Sequence, residues 1–216
     1  MSRKRKLFGF NLNPNSDYIE IGGGEGELSL DLKMSGFNMI LFIEPDFKKF
    51  VIATKKLNNI LCLNSDIKEF NADEIKPKSR IVTIIMQDVI EHISKDKQKI
   101  FFQELFRKYA EVYFIGRTPN LKSPFGMRNS FGDNTHIHRF TDNSLRDFLF
   151  KLDFTKIHIT HEDYKITGIT SLFRYPLYLL NILSVSLIFL IIFGCWEGFL
   201  TPNIVFKAQK INKKLL

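Results

Sequence analysis

The order of apolar and polar positions divides the chain into short strands alternating with amphipathic helices. Residues 18–21 read as a buried strand interrupted by one carboxylate, Glu20, and run into a glycine-rich turn. Leu28, Leu30 and Leu32 open the next element, taken as a helix although their spacing also fits a strand. An apolar run over 38–43 has strand length, 47–57 has the pattern of a helix with Lys48, Lys49, Lys55 and Lys56 outward, and 60–63 is a third short strand. Residues 80–86 are continuous and β-branched, as in the buried centre of a parallel sheet. A helix over 98–109 and a fifth strand over 111–116 follow. The polar stretch 121–141 is expected to be a long irregular connection, the kind of loop that serves as a lid or binding loop. Thr141 caps a helix over 142–152 with Leu145, Phe148, Leu149 and Leu152 inward, and strands over 155–160 and 202–208 close the series. Such alternation predicts a doubly wound parallel sheet with ligands at the carboxyl ends of its strands.

One stretch breaks the pattern. Residues 175–193 carry no charge and are long enough to cross a bilayer. Crossing would separate the last strand from its sheet and, with the sheet in the cytosol, would put Lys207, Lys210, Lys213 and Lys214 on the outside, against the positive-inside tendency. Pro176, Asn181, Ser184, Ser186 and the sequence from Gly194 to Glu197 predict broken helices lying in or dipping into one leaflet, with a true span or a buried oligomer interface as alternatives. The basic residues 3–6 read as a solvated terminus; with the C-terminal lysines, they would also draw the chain to anionic lipid.

Composition narrows this picture only a little. A length of 216 residues, 44% hydrophobic and 25% charged, suits one core, so a single domain is expected over 1–216 with 168–200 as an insertion. A net charge of +8 implies an anionic partner, whether nucleic acid, an acidic membrane surface or a charged glycan. Cys62 and Cys195 lack any paired spacing, which suits a reduced compartment, and residues 7–12 are too short and broken for a signal peptide.

The candidate chemistry starts at Gly22, Gly23, Gly24 and Gly26, which permit positive φ and a close approach of backbone to ligand, ahead of a helix N-terminus. Dinucleotide and S-adenosylmethionine binding compete for this turn, with a plain surface turn as the third reading. The dinucleotide fingerprint counted from Gly22 and Gly24 needs a glycine where Glu27 stands, which disfavours it. Glu44 ends the second strand where a βαβ unit places the carboxylate that accepts hydrogen bonds from ribose hydroxyls; Asp46 is the weaker candidate.

Glu20, Gly22, Gly24 and Gly26 resemble the first motif of class I S-adenosylmethionine-dependent methyltransferases. The segment from Gln87 and Asp88 to His92, the Thr-Pro-Asn ending at Asn120, and the run from His136 through His138 to Thr141 resemble the type 11 and type 12 families of that class. The resemblance implies an α/β, Rossmann-like sheet of mostly parallel strands with an antiparallel last strand, here preceded by the apolar helical insertion. For the cofactor it implies Glu20 with Gly22, Gly23, Gly24 and Gly26 at the methionine part, and Glu44 and Pro45 at the ribose. Asp66 and Ile67 fall at the adenine, and Gln87 and Asp88 line the pocket near the sulfonium. His92 and His136 are the candidate proton acceptors, and Arg128 and Arg139 are candidates for an anionic substrate. If a helix begins at Asp88, then Asp88, Glu91 and His92 share one face. That pattern is similar to a metal-binding one in certain small-RNA and quinone O-methyltransferases, where a further histidine, here His136 or His138, completes the site. Many relatives with this segment need no metal, and none is assigned.

The expected activity is therefore transfer of the sulfonium methyl of S-adenosylmethionine to a hydroxyl. The insertion, through 172–199, points to a membrane-associated, lipid-linked or surface-glycan substrate and to a cytoplasmic protein held peripherally on the membrane, with a single-pass arrangement as the alternative. An RNA methyltransferase is the second enzyme reading, although no RNA-binding module is recognisable. A non-catalytic membrane-associated scaffold is the reading from another class.

Overall fold

The computed structural model describes residues 6–67, 70–162, 168–194, 196–197, 200–213 and 215. Residues 3–5 of the basic terminus, Cys195 and Lys214 lie outside them. A two-stranded hairpin, β1 (Lys6–Leu7) and β2 (Phe10–Asn11), precedes the series β3 (Asp17–Ile21), α1 (Glu27–Met34), β4 (Asn38–Ile43), α2 (Phe47–Lys56) and β5 (Leu61–Leu63). Then come β6 (Ile81–Gln87), α3 (Lys95–Lys108), β7 (Glu111–Pro119), α4 (Pro124–Gly132), α5 (Asp142–Lys151), β8 (Lys156–His161), α6 (Ile169–Phe193) and β9 (Asn203–Ile211). The seven-stranded sheet has the order β5-β4-β3-β6-β7-β9-β8. β9 runs antiparallel to both its neighbours, and the other pairings are parallel. Strand order reverses between β3 and β6, so the crevice where a doubly wound sheet takes its ligand opens at Ile21 and Gln87.

β3 is buried along its whole length because both faces of the sheet are covered. On one face Phe101, Phe102 and Leu105 of α3 and Leu145 and Leu149 of α5 pack on Ile19, Ile84 and Phe114. On the other, Leu28 and Leu32 of α1 join Leu7 and Leu12 of the hairpin region against Tyr18, Ile85 and Ile115. Leu28 and Leu32, one turn apart, thus settle the element after the glycines as a helix. Asp17 is buried at the start of β3, where its carboxylate accepts from the N–H groups of Lys78 (2.9 Å) and Ser79 (3.2 Å) and from Asn38 and Tyr109. This satisfies the charge and fixes the strand's end.

Three expectations need correction. No helix begins at Asp88: this residue has φ 54°, a left-handed value that Asp tolerates better than most, and Ile90–His92 is a 3₁₀ turn before α3 starts at Lys95. Asp88 therefore does not share a helical face with Glu91 and His92. The stretch 121–141 is not irregular throughout, because α4 occupies its centre, capped by Ser123 and started by Pro124. The apolar insertion is one 25-residue helix rather than broken pieces. Pro176 sits two turns in and removes one N–H from the ladder, while Ser184 Oγ donates back to the Leu180 carbonyl (2.8 Å) instead of opening the helix.

α6 leaves the sheet after β8 and returns to β9, whose Ile204 pairs with His161. Both connections sit at the carboxyl end of β7, the end that holds the crevice. The return segment is strapped to the corner after β7. Ser123 Oγ donates to the Leu200 carbonyl (2.6 Å), Asn120 Nδ2 to that of Thr201 (3.1 Å) and Asn120 N–H to that of Pro202 (2.9 Å). Lys122 pairs with Glu197 (2.6 Å), and Ser186 Oγ of α6 donates to the Glu197 carbonyl (2.9 Å). Of the C-terminal lysines, Lys207 pairs opposite Ile115 in the middle of β7 and Lys210 opposite Val112 at its start, with Lys213 three residues further on.

Candidate active site

The turn after β3 is built from backbone. Gly22 N–H donates to the Ile43 carbonyl (2.8 Å), joining the ends of β3 and β4. Gly24 has φ 59° with open space above its Cα, and its N–H donates to Glu44 Oε2 (2.7 Å). At Gly23 a Cβ would collide with the Phe42 ring and the Glu20 carboxylate, so only glycine lets the turn close over the strand. Glu44, 5% exposed, also accepts from the Asp46 N–H (2.9 Å). Asp46 itself is occupied in capping α2, with Oδ1 accepting from the N–H groups of Lys48 and Lys49, which leaves Glu44 as the acid directed at the turn.

Two cavities flank this turn. One of about 340 Å³ is lined by Ile21, Gly22, Glu44, Pro45, Asp66, Ile67, Asp88 and His92, among others. Its far wall is closed by an ion pair between Asp66 and Lys97 (2.9 Å). The other, of about 320 Å³, is lined by Glu20, Gly22, Gly23, Glu27, Leu28, Asp31 and Gln87. Three carboxylates around it suit an ammonium group, and Glu20, 2% exposed, is oriented by the Ser29 hydroxyl.

A third cavity, about 630 Å³, lies beyond β6 and shares Asp88 and His92 with the first. Its wall includes Glu91, Arg117, Arg128, Asn129, Asp133, His136 and Asn203. Arg117 forks between Asp88 and Glu162 (3.0 Å), and these carboxylates more than offset the cost of burial and raise its pKa. Glu91 is 1% exposed and neither carboxylate oxygen has a hydrogen-bond partner among the described residues. Burial, aided by the nearby Asp88 charge, pushes its pKa up to about 7. His92 Nδ1 lies 2.9 Å from Thr135 Oγ1, and its ring meets that of His136 edge-on at 4.5 Å. His136 Nδ1 is 3.0 Å from the Ser130 carbonyl; a carbonyl only accepts, so Nδ1 carries the hydrogen and Nε2 of the neutral ring is free of one. That Nε2 stands 3.9 Å from both Glu91 and Asp133. Donor atoms of Glu91, His92 and His136 all lie within 4.8 Å of one another, a carboxylate–imidazole set suited to a first-row divalent cation.

The expected residues thus divide. Glu20, Gly22, Gly23, Glu44, Pro45, Asp66, Ile67, Gln87 and Asp88 line the first two cavities, while Gly24 and Gly26 shape the turn, Gly26 as the left-handed cap of α1. His92 and His136 meet at the third. His138 does not join them: it packs on Phe140 and Phe148, and burial lowers its pKa. Arg128 lines the third cavity, whereas Arg139 Nε donates to the Ser130 carbonyl (3.1 Å). Asp31, Lys97, Arg117 and Asp133 were not anticipated. Asp31 had a signal, one helical turn after Glu27; the others are brought in by tertiary contacts alone.

A family model described as a methyltransferase domain matches residues 1–159. No curated protein matches the chain by sequence. Among solved structures, an S-adenosylmethionine-dependent methyltransferase from Archaeoglobus fulgidus superposes with a TM-score of 0.60 at 16% identity, over 90% of this chain and 86% of that one. One from Mesorhizobium loti gives 0.59 at 10% identity, over 92% and 94%. The small RNA methyltransferase HEN1 gives 0.55 at 16% identity, over 93% of this chain but 24% of its own length. At these identities the likeness is one of fold.

Proposed function

The chain belongs to the S-adenosylmethionine-dependent methyltransferases whose domain its first 159 residues match, and on that premise we propose that it methylates a hydroxyl of a membrane-associated, lipid-linked or glycan substrate at the cytoplasmic face of a membrane. The observation that carries the reading is that the first cavity shares Gly22 with the second and Asp88 and His92 with the third, so a cofactor spanning the first two would end beside the third. Glu20, Glu27 and Asp31 suit the cofactor's ammonium, Glu44 its ribose hydroxyls, and Asp66 and Ile67 its adenine. The third cavity is then left for the acceptor.

Bound S-adenosylmethionine supplies a methyl on a sulfonium, with a neutral thioether as leaving group. Transfer to an acceptor oxygen would form a C–O bond and return the C–S pair to sulfur, so the chain's task is to align that oxygen and remove its proton. His136 takes that proton at Nε2, with His92 beside it; a positioned base of this kind contributes on the order of 10²–10⁴ in rate. The walls of the third cavity are polar, and Arg128 is the cation there not engaged by the Asp88–Arg117–Glu162 pairing, which suits a polar acceptor.

Support for a membrane comes from α6. Its mean hydropathy is 2.4 over its most apolar window, and it has the length to cross a bilayer, yet only 6% of that window is buried. A crossing helix is disfavoured by the strap, because Glu197, three residues past the cap Gly194, is already paired with Lys122 of the sheet domain. A helix lying along the interface satisfies both constraints.

The net charge of +8 and the Glu91–His92–His136 group favour a second reading, an RNA acceptor. Transfer of labelled methyl from S-adenosylmethionine into separated lipid, glycan and RNA extracts decides. Label in lipid or glycan, lost in His136→Ala, is expected; label confined to RNA would replace the acceptor class. Failure to bind S-adenosylmethionine at all would leave only a scaffold.

A further inference from the structure

Beside α6, the wall of the acceptor cavity exposes apolar side chains that the chemistry above does not use. On α4, Phe125 is 40%, Met127 45% and Phe131 57% exposed, and Ile137 in the following loop is 58% exposed. The same helix lines the cavity with Arg128, Asn129 and Gly132. We propose that α4 and α6 together form one surface for an anionic lipid bilayer, so that the mouth of the acceptor cavity opens at the headgroup layer. This rests on the membrane reading given above and adds to it the part of the active site that touches lipid.

The described residues returning from α6 lie close against the start of α4. A Cβ at Gly126 would overlap the carbonyl oxygens of Asn120 and Pro202, so the first turn of α4 lies backbone against backbone on the segment returning from α6. Ser123, Lys122 and Ser186 bind that segment at Leu200 and Glu197. Trp196, 57% exposed, stands between the end of α6 and this strap. Indole side chains prefer the headgroup level of a bilayer, and Trp196 follows the cap of α6 in sequence, one residue before the strapped Glu197.

The occupant is argued from the breadth of the apolar surface. At 100° per residue, the exposed side chains of α6, among them Leu177, Leu180, Leu183, Leu187, Ile188 and Phe193, sweep roughly two-thirds of the circumference. A partner helix or a second copy covers a stripe about 100° wide, whereas a helix sunk into one leaflet is flanked by acyl chains over more than half of its circumference. Cations stand beside the smaller patch as well. Arg128 lies on α4, and the Arg139 guanidinium lies over the Phe131 ring at 4.8 Å, a pairing of apolar body with cation that fits a boundary between acyl chain and anionic headgroup.

The chain's single tryptophan makes the test direct. The full chain is mixed with phosphatidylcholine vesicles, with and without phosphatidylglycerol, and Trp196 emission, its quenching by brominated acyl chains, and flotation are followed. Emission is expected to shift to the blue and be quenched, with tighter partition when phosphatidylglycerol is present. Replacing Phe125 and Phe131 together by Ser is expected to weaken partition by roughly tenfold per ring, the transfer of an apolar side chain back to water, while replacement by Leu restores most of it. Neither residue belongs to the buried core clusters. Unchanged partition of the Ser variant overturns the proposal, as does a wild-type chain that ignores vesicles or self-associates with Trp196 shielded. S-adenosylmethionine binding and label transfer in the same samples separate the two readings. Label entering lipid without vesicle contact by α4 defeats only this surface; vesicle contact with label confined to RNA defeats the assigned acceptor.

Discussion

The two sides of the sheet's carboxyl edge are built by different means. On the β5-β4-β3 side, the ligand walls are held by bonds between neighbouring strand ends: Gly22 N–H to the Ile43 carbonyl, Glu44 N–H to the Leu63 carbonyl, and Gly24 N–H to the Glu44 carboxylate. These partners lie about one βαβ unit apart in sequence. On the β6-β7-β9 side, the walls are loops joined across longer distances in sequence. The loop around His136 hangs from the Glu91 carbonyl through the N–H groups of Ile137 and His138 (2.9 Å each), and α4 rests on residues 200–202. A frame built within one βαβ unit keeps its shape around a constant ligand, whereas loops joined across long distances can be rebuilt for a new one. This difference fits the proposed roles, with the cofactor on the first side and the acceptor on the second.

The largest expected effect breaks the first side. Glu44→Ala removes the acceptor assigned to the ribose hydroxyls and also releases the N–H groups of Gly24 and Asp46. With charge-assisted hydrogen bonds contributing about 1.5–3 kcal/mol each, affinity for S-adenosylmethionine should fall by roughly 100-fold or more. Titration calorimetry measures it, and a dissociation constant within a few-fold of wild type would remove Glu44 from the cofactor site.

Gly126→Ala attacks the other side. Its methyl would meet two carbonyl oxygens that are fixed in the strap, an overpacking that costs about 2–3 kcal/mol in denaturant unfolding. Label transfer should drop because Arg128 and Asn129 move with α4, while the cofactor's dissociation constant stays within about twofold, since additivity holds for distant sites. Equal losses in both would mean that the two sides are one mechanical unit.

Glu91→Gln tests the electrostatics where they meet. A carboxyl whose folded pKa of about 7 exceeds its usual value of 4.5 is favoured when protonated, so its stabilising share is complete below about pH 4.5 and is lost as pH rises through 7. Near pH 8 the wild type carries a penalty of about 3 kcal/mol for ionising Glu91, whereas the amide is neutral and lacks partners no more than the protonated carboxyl does. In chelator-treated protein the variant should therefore be more stable than wild type by roughly 2–3 kcal/mol at pH 8, with the difference vanishing toward pH 4.5. A divalent cation that stabilises wild type but not the variant at pH 8 would assign the Glu91–His92–His136 group to metal.

The same division decides how much could be read from the sequence. Glu20, the glycines and Glu44 were legible because local spacing alone brings them to one turn, and the parallel sheet followed from its alternating pattern. α4 carried its start signal in Ser123 and Pro124, but Gly126, Asn129, Ser130 and Gly132 are poor helix formers and hid the rest. Asp88 looked like a helix start because nothing local announces a left-handed residue there. The unbroken α6 defied its polar residues, since Asn181 and Ser184 can sit on an exposed helix without disrupting it. Partners such as Asn120 with Pro202, about eighty residues apart, leave no local trace.

The smallest expected effect refines the cofactor side. Asp66 is assigned to the adenine amino group, yet its carboxylate already pairs with Lys97 at 2.9 Å, with side chains 35% and 41% exposed. An ion pair so open to water is worth about 0.2–1 kcal/mol, so neither partner is essential to the fold. Asp66→Ala should weaken S-adenosylmethionine binding by roughly three- to tenfold, the loss of one hydrogen bond to a partly exposed acceptor. Lys97→Ala separates two explanations for that loss. If Asp66 accepts from adenine, freeing it from Lys97 leaves binding equal or slightly tighter; if the pair merely closes the cavity, both variants weaken binding alike. Titration of the two single variants and the double variant measures the difference, and a weakened Lys97→Ala would take Asp66 out of direct contact with the cofactor.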